Sequence, residues 1–139
     1  MSASSNPLRR VVYVSHVVSD ALPGGRTMLE DILAAARRNN SRVGVTGALL
    51  YSNRRFAQVL EGPPDAVEQI FETIQCDPRH DHVAVIEVSA PESRAFADWS
   101  MAFAEAPEVH PEQLDSPEAA EQLVGLLQAA IRNTEAAAA

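Results

Sequence analysis

Two apolar runs, Val43–Tyr51 and Phe56–Leu60, are separated only by Ser52-Asn53-Arg54-Arg55, and this spacing constrains the fold of the chain more than any other feature. Strand-forming runs joined by a short polar turn predict an antiparallel hairpin. Alternate side chains of a strand share a face, so Gln58 points with Phe56 and Leu60 into an apolar row. A primary amide there must find partners or cost about 1–3 kcal/mol on burial. The same group carries two donors and an acceptor, and it reverses them by turning over. Gln58 is therefore a candidate switch as well as a strand residue.

Around the hairpin the apolar periodicity alternates between the two regular types. Arg10–His16 is β-branched and predicts a strand. After the Pro23-Gly24-Gly25 break, Thr27 offers an N-cap, and Met28, Leu29, Ile32, Leu33 and Ala36 recur at helical spacing, with Asn39-Asn40 ending the helix. Gly62-Pro63-Pro64-Asp65 stops the second hairpin strand and opens a helix striped by Val67, Ile70, Phe71 and Ile74, which Asp77-Pro78 closes. Val83–Val88 predicts a further strand, and Asp98–Ala104 another, with Trp99, Met101 and Phe103 on one face. A Pro- and acid-rich linker from Glu105 to Pro117 leads to an amphipathic helix over Glu118–Asn133, expected to cover the far sheet face rather than to mediate self-association. The order β-α-β-β-α-β-β predicts an α+β, ferredoxin-like mixed sheet with two helices on one face, plus the C-terminal helix. Residues 1–104 are expected to form the folded unit, and 105–139 its linker and helical extension.

Charge and motif content remove several classes of function. A formal net charge of -8 argues against a nucleic-acid surface or a polybasic membrane patch. No run of roughly 18 apolar residues predicts a membrane span, and the N-terminal MSASSNPLRR has no apolar stretch of a secretory signal. The single cysteine, Cys76, fits a reducing cytoplasm and falls in a helical apolar pattern that suggests a structural role. His16, His80, His82 and His110 have no helical ligand spacing, and a zinc site at the His80–His82 loop is disfavoured. No P-loop, GxGxxG or GxSxG motif occurs, so no metal and no catalytic group is expected.

What is left is a set of polar and aromatic groups at strands and strand ends. Tyr13 lies among valines, where a satisfied core tyrosine is the plain explanation. Asn40 alone suits a helix C-cap, and Trp99 and Met101 alone suit core packing. Together, Tyr13, Gln58, Trp99 and Met101 sit on separate extended segments that alternation allows to meet on one sheet face.

In these residues the chain resembles the BLUF family, blue-light sensors that use flavin. The resemblance runs in order through Tyr13 in VVYVS, Asn39 to Tyr51 in NNSRVGVTGALLY, Phe56 to Gly62 in FAQVLEG, Asp77 to His80 in DPRH and Arg94 to Met101 in RAFADWSM. It implies noncovalent FAD, or alternatively FMN, between the two helices that pack on the sheet. Tyr13 would donate an electron to the photoexcited ring, a proton would follow through Gln58, and recombination would leave the amide rearranged and the absorption shifted to the red. Gln58 would contact the flavin, Asn40 would hold its polar edge with Asn39 alongside, and Ile32 and Phe56 would pack on the ring. Arg79 and His80 would lie toward the ribityl-phosphate, with Asp77 of the same motif among the cofactor-binding residues, although Thr73 offers no basic group where some members carry one. Trp99 and Met101 match final-strand positions that relay the signal, either of which occupies the place beside Gln58.

The implied protein is a short, stand-alone cytoplasmic photoreceptor with no turnover of its own. It would signal to a separate protein or through a homo-oligomer, without nucleic-acid or membrane partners. The alternative is a flavin-free ferredoxin-like interaction module, and an acylphosphatase-like or flavin redox enzyme ranks below both because no substrate-activating group is evident.

Overall fold

The computed structural model describes residues 7–18, 26–52, 54–78, 80–97, 99–105 and 121–129. In chain order these form β1 (Arg9–Val17), α1 (Arg26–Val43), β2 (Thr46–Ser52), β3 (Arg55–Gly62), α2 (Pro64–Gln75), β4 (His80–Ser89) and β5 (Ala102–Glu105). Residues 121–129 add a helix, α3. The strands make one sheet of order β4-β1-β3-β2-β5. β3 pairs antiparallel with both β1 and β2, β4 is antiparallel to β1, and β5 is parallel to β2. This is the ferredoxin-like α+β arrangement with an added edge strand.

Period-two alternation sorts the core onto the two sheet faces. Val11, Leu49, Phe56 and Leu60 point to the face covered by α1 and α2, where Leu33 and Val67 meet them. Val12, Ala48, Leu50, Ala57 and Val59 point to the other face, against Leu123 and Leu127 of α3 and against Phe96. The helix predicted over Glu118–Asn133 is helical at 121–129, and its remainder and residues 106–117 of the linker lie outside the described residues.

Local backbone chemistry explains where the elements depart from expectation. Asn39-Asn40 does not end α1, which continues to Val43. Gly44 ends it at φ +76, and the Val45 N–H donates to the Asn40 carbonyl at 2.9 Å, the six-to-one bond of a Schellman cap. β2 therefore starts at Thr46 rather than at Val43. α1 begins at Arg26, one residue before the predicted cap at Thr27. The run Asp98–Ala104 is not one strand: β5 occupies only Ala102–Glu105, after an irregular approach. Cys76 is the exposed C-cap of α2, not a packed helical residue. Glycine is obligatory at Gly47, where a Cβ would stand 2.0 Å from the Val59 carbonyl oxygen of the paired strand.

A buried carboxylate organises the approach to β5. Glu61 is fully buried at the end of β3, paired with Arg10 at 2.7 Å. It also accepts the backbone N–H groups of Ala95 and Phe96 at 2.9 and 3.0 Å. Arg94 donates to Thr46 Oγ1 at 3.0 Å, and Gln128 of α3 donates to the Ala95 carbonyl at 3.2 Å. These bonds hold the 94–96 loop between the sheet and α3.

Candidate functional site

Strand register brings Tyr13 of β1 and Gln58 of β3 directly opposite each other, with Leu49 of β2 on the far side of Gln58. Both polar side chains are buried, Tyr13 at 2% exposure and Gln58 at 5%. The Tyr13 hydroxyl donates to Gln58 Oε1. Gln58 Nε2 then donates to Met101 Sδ at 3.3 Å, so the amide raised by the sequence has partners at both ends. Burial, and secondarily the negative charge of Asp77, push the Tyr13 phenol well above its ordinary range, which keeps it a donor.

Above this pair α1 and α2 part to leave a cleft that opens to solvent. Its walls are Ile32, Ala35 and Ala36 of α1 and Ile70 and Ile74 of α2, and its floor is Tyr13, Leu49, Phe56 and Gln58. Asn39, Asn40, Thr73, Asp77 and His80 bring polar groups to it. Apolar walls with a few polar groups are the usual make-up of a small-molecule site. A flat aromatic ring with one polar edge fits this donor set: aliphatic side chains face its planes, and amides meet its edge. Of the residues expected to hold flavin, Ile32, Asn39, Asn40, Phe56, Gln58, Asp77 and His80 all line this cleft, and Arg79 lies outside the described residues.

His80 is held rigidly at the cleft edge. Its Nε2 lies 2.6 Å from the Ile74 carbonyl and its Nδ1 2.7 Å from Ser15 Oγ. The carbonyl only accepts, so Nε2 carries a proton, and in the neutral ring Nδ1 accepts from Ser15. His80 and His82 were expected in a loop, but both belong to β4, which starts at His80.

Trp99 and Met101 separate onto different faces. Met101 is buried at 1% exposure in the α1/α2 core, beside Gln58. Trp99 is half-buried and packs with the α3 core on the other face. The expectation that Trp99, Met101 and Phe103 share a face fails because the chain is not extended from Trp99 to Met101, so alternation does not apply there.

Three contacts carried no signal in the sequence. Asn40 Nδ2 donates to the Ser100 carbonyl and Arg37 Nε to the Met101 carbonyl, each at 2.9 Å, so α1 grips the segment that carries Met101. Ser15 sets the orientation of His80. Their spacing from α1 in the chain hides these contacts, since Asn40 and Ser100 are 60 residues apart. Only the 3-residue separation of Arg37 and Asn40 on one helical face was there to be read.

A ferredoxin-like sheet opened on its helical face over a buried tyrosine–glutamine pair defines a small-molecule-binding domain suited to a planar aromatic group. The family described as BLUF, sensors of blue light using FAD, matches residues 8–102. The chain belongs to this family: it is a flavin-binding blue-light sensor domain. Photoactivated adenylate cyclase subunit beta of Euglena longa is 34% identical over 104 residues, 74% of this chain and 12% of the relative. The chain thus spans about an eighth of the length of that curated relative. The dark-state structure of BlrB, a BLUF protein, matches with a TM-score of 0.79 at 31% identity, covering 89% of this chain and 97% of that one. A Klebsiella pneumoniae BlrP1 structure with FMN and cyclic diGMP matches with a TM-score of 0.65 at 29% identity, over 86% of this chain and 30% of that one. Among the described residues no helix is long and apolar enough to cross a membrane.

Proposed function

We propose that the Tyr13–Gln58 pair is the light-operated switch of this domain and that Met101 is the first residue to respond to it. The observation that carries this reading is the buried chain of hydrogen bonds from Tyr13 through Gln58 to Met101 at the floor of the cleft. Ile32, Ala36, Ile70 and Ile74 would face the ring, with Asn39, Asn40 and Gln58 toward its polar edge, Asp77 at the cleft lining, and Arg79 and His80 toward the ribityl-phosphate.

FAD bound in this cleft would supply the blue absorption and an electron acceptor. Tyr13 is the electron source at the cleft floor, and its hydroxyl proton has Gln58 Oε1 as an immediate acceptor. Return of both electron and proton restores Tyr13, so no net oxidation occurs. What persists is the amide. A Gln58 that has turned over offers Nε2 to the Tyr13 oxygen and Oε1 to Met101 Sδ, and two acceptors form no hydrogen bond. The Met101 contact therefore breaks while the Tyr13 contact survives in reversed sense. Because Asn40 and Arg37 hold the carbonyls of Ser100 and Met101, a change at Met101 reaches α1 and, through β5, the sheet edge.

The reading extends to the cell. The domain passes its state to a partner protein or a second copy in the cytoplasm and turns over no substrate itself. FAD is the cofactor of the family, and FMN, present in BlrP1, is the alternative, which the mass of the flavin released on denaturation decides.

The test is optical. Protein loaded with FAD should show a reversible red shift under blue light that decays in the dark. Gln58→Leu and Tyr13→Phe should bind flavin and lose that shift; a reversible red shift retained by either variant overturns the assignment.

A further inference from the structure

His16, Asp81 and His82 come together on the surface where β1 ends and β4 begins. One ligand atom from each residue lies within 4.8 Å of the other two. His16 and Asp81 are partners in the strand register, so their side chains leave the sheet on one face. In an uninterrupted strand His82 would share the opposite face with buried His80. It does not, because β4 carries an extra residue here: Val14 pairs with Ala84 but His16 pairs with Asp81. His82 takes φ +54 in this bulge, and its ring turns toward the other two groups. Its Nδ1 lies 2.8 Å from Asp81 Oδ1, and its ring centroid is 5.1 Å from that of His16. A left-handed backbone at a non-glycine residue costs free energy, and here it assembles three donors.

We propose that His16, Asp81 and His82 form a binding site for a divalent transition-metal ion, with Zn²⁺ as its probe. Two imidazoles and a carboxylate are a borderline donor set that suits Zn²⁺, Ni²⁺ or Cu²⁺ over Mg²⁺ or Ca²⁺. Three protein ligands leave a further position for water, as in open zinc sites. Tetrahedral bonds of about 2.1 Å require ligand atoms about 3.4 Å apart, so the side chains must close slightly on the ion. His82 and Asp81 are 74% and 55% exposed, and such closure displaces no core packing. Arg55 Nε stands 3.5 Å from His16 Nε2, so the ion either takes His16 through Nδ1 or displaces the Arg55 contact. Occupancy ties β1 to β4 at the chain neighbours of Ser15 and His80, and stabilises that end of the sheet by mass action.

Calorimetric titration of the flavin-loaded full chain with ZnCl2, in a buffer that does not chelate, tests the site. The expected result is one ion per chain with micromolar affinity, and a melting temperature that rises with Zn²⁺. His16→Ala and His82→Gln should each weaken binding about tenfold or more, whereas Cys76→Ser and His110→Ala should leave it unchanged. Flavin absorbance of each variant reports that it is folded, and Asp81→Asn supplies a third ligand change of nearly equal shape. Absence of stoichiometric binding by the unaltered chain, leaving a surface ion pair only, overturns the proposal. So does unaltered affinity in the folded His16, Asp81 and His82 variants.

Discussion

Gln58 Nε2 and Met101 Sδ stand 3.3 Å apart at the floor of the cleft, joining the central strand β3 to the segment that enters the edge strand β5. A thioether only accepts, so this contact exists in one orientation of the amide and not in the other. Replacing Met101 by Leu preserves volume, and the packing change alone should cost less than about 1.5 kcal/mol. It also removes the acceptor, so the red shift should persist with an altered rate of dark recovery. Trp99→Phe, on the α3 face, should leave that rate nearly unchanged. Recovery followed by absorbance after a blue flash separates the two, and equal effects would count against Met101 as the responding residue.

Tyr13 makes stability depend on alkaline pH. Its folded pKa is raised by burial and by Asp77, so the folded state keeps a proton that the unfolded chain gives up near pH 10. The contribution is fully present below pH 10 and is lost as pH rises toward the folded value. Urea midpoints should fall above pH 10 in the unaltered protein, and less steeply in Tyr13→Phe. Tyrosinate absorbance attributable to Tyr13 should appear only with unfolding.

Glu61 is expected to be costly to neutralise. Glu61→Gln leaves Arg10 unpaired and weakens the acceptor for the Ala95 and Phe96 N–H groups. Breaking one side of a buried pair costs about 3–5 kcal/mol. Urea denaturation should show this loss, and an added Arg10→Gln should return part of it, the coupling expected of a direct pair.

The hold of α1 on the Met101 segment gives a separate expectation. Asn40→Ala removes the bond to the Ser100 carbonyl, and hydrogen exchange should rise across residues 99–101 even where flavin remains bound. Unchanged exchange there would mean that Asn40 does not restrain the segment.

Much of this molecule was readable from local pattern. Alternation in Arg10–His16 and Phe56–Leu60, and helical recurrence in Ile32–Ala36 and Val67–Ile74, reflect periodicities the backbone imposes on any sequence. They suffice for the element order and for the apolar row that makes Gln58 conspicuous. Gly44, and not Asn39-Asn40, is the stop of α1. Both residue types accept a left-handed backbone, and the competition between them is settled by which one the cap bonds can close.

The sequence by itself determined the α+β order, the family and an amide in need of partners, because these depend on residue identity and short-range periodicity. Tertiary structure alone decided which partners it has. Strand register set Tyr13 opposite Gln58, an irregular approach to β5 turned Met101 to the α1/α2 face and Trp99 to the α3 face, and a bulge in β4 brought His82 to His16. Each of these contacts spans more than 40 residues of chain, and no local rule relates positions so far apart until the sheet has closed between them.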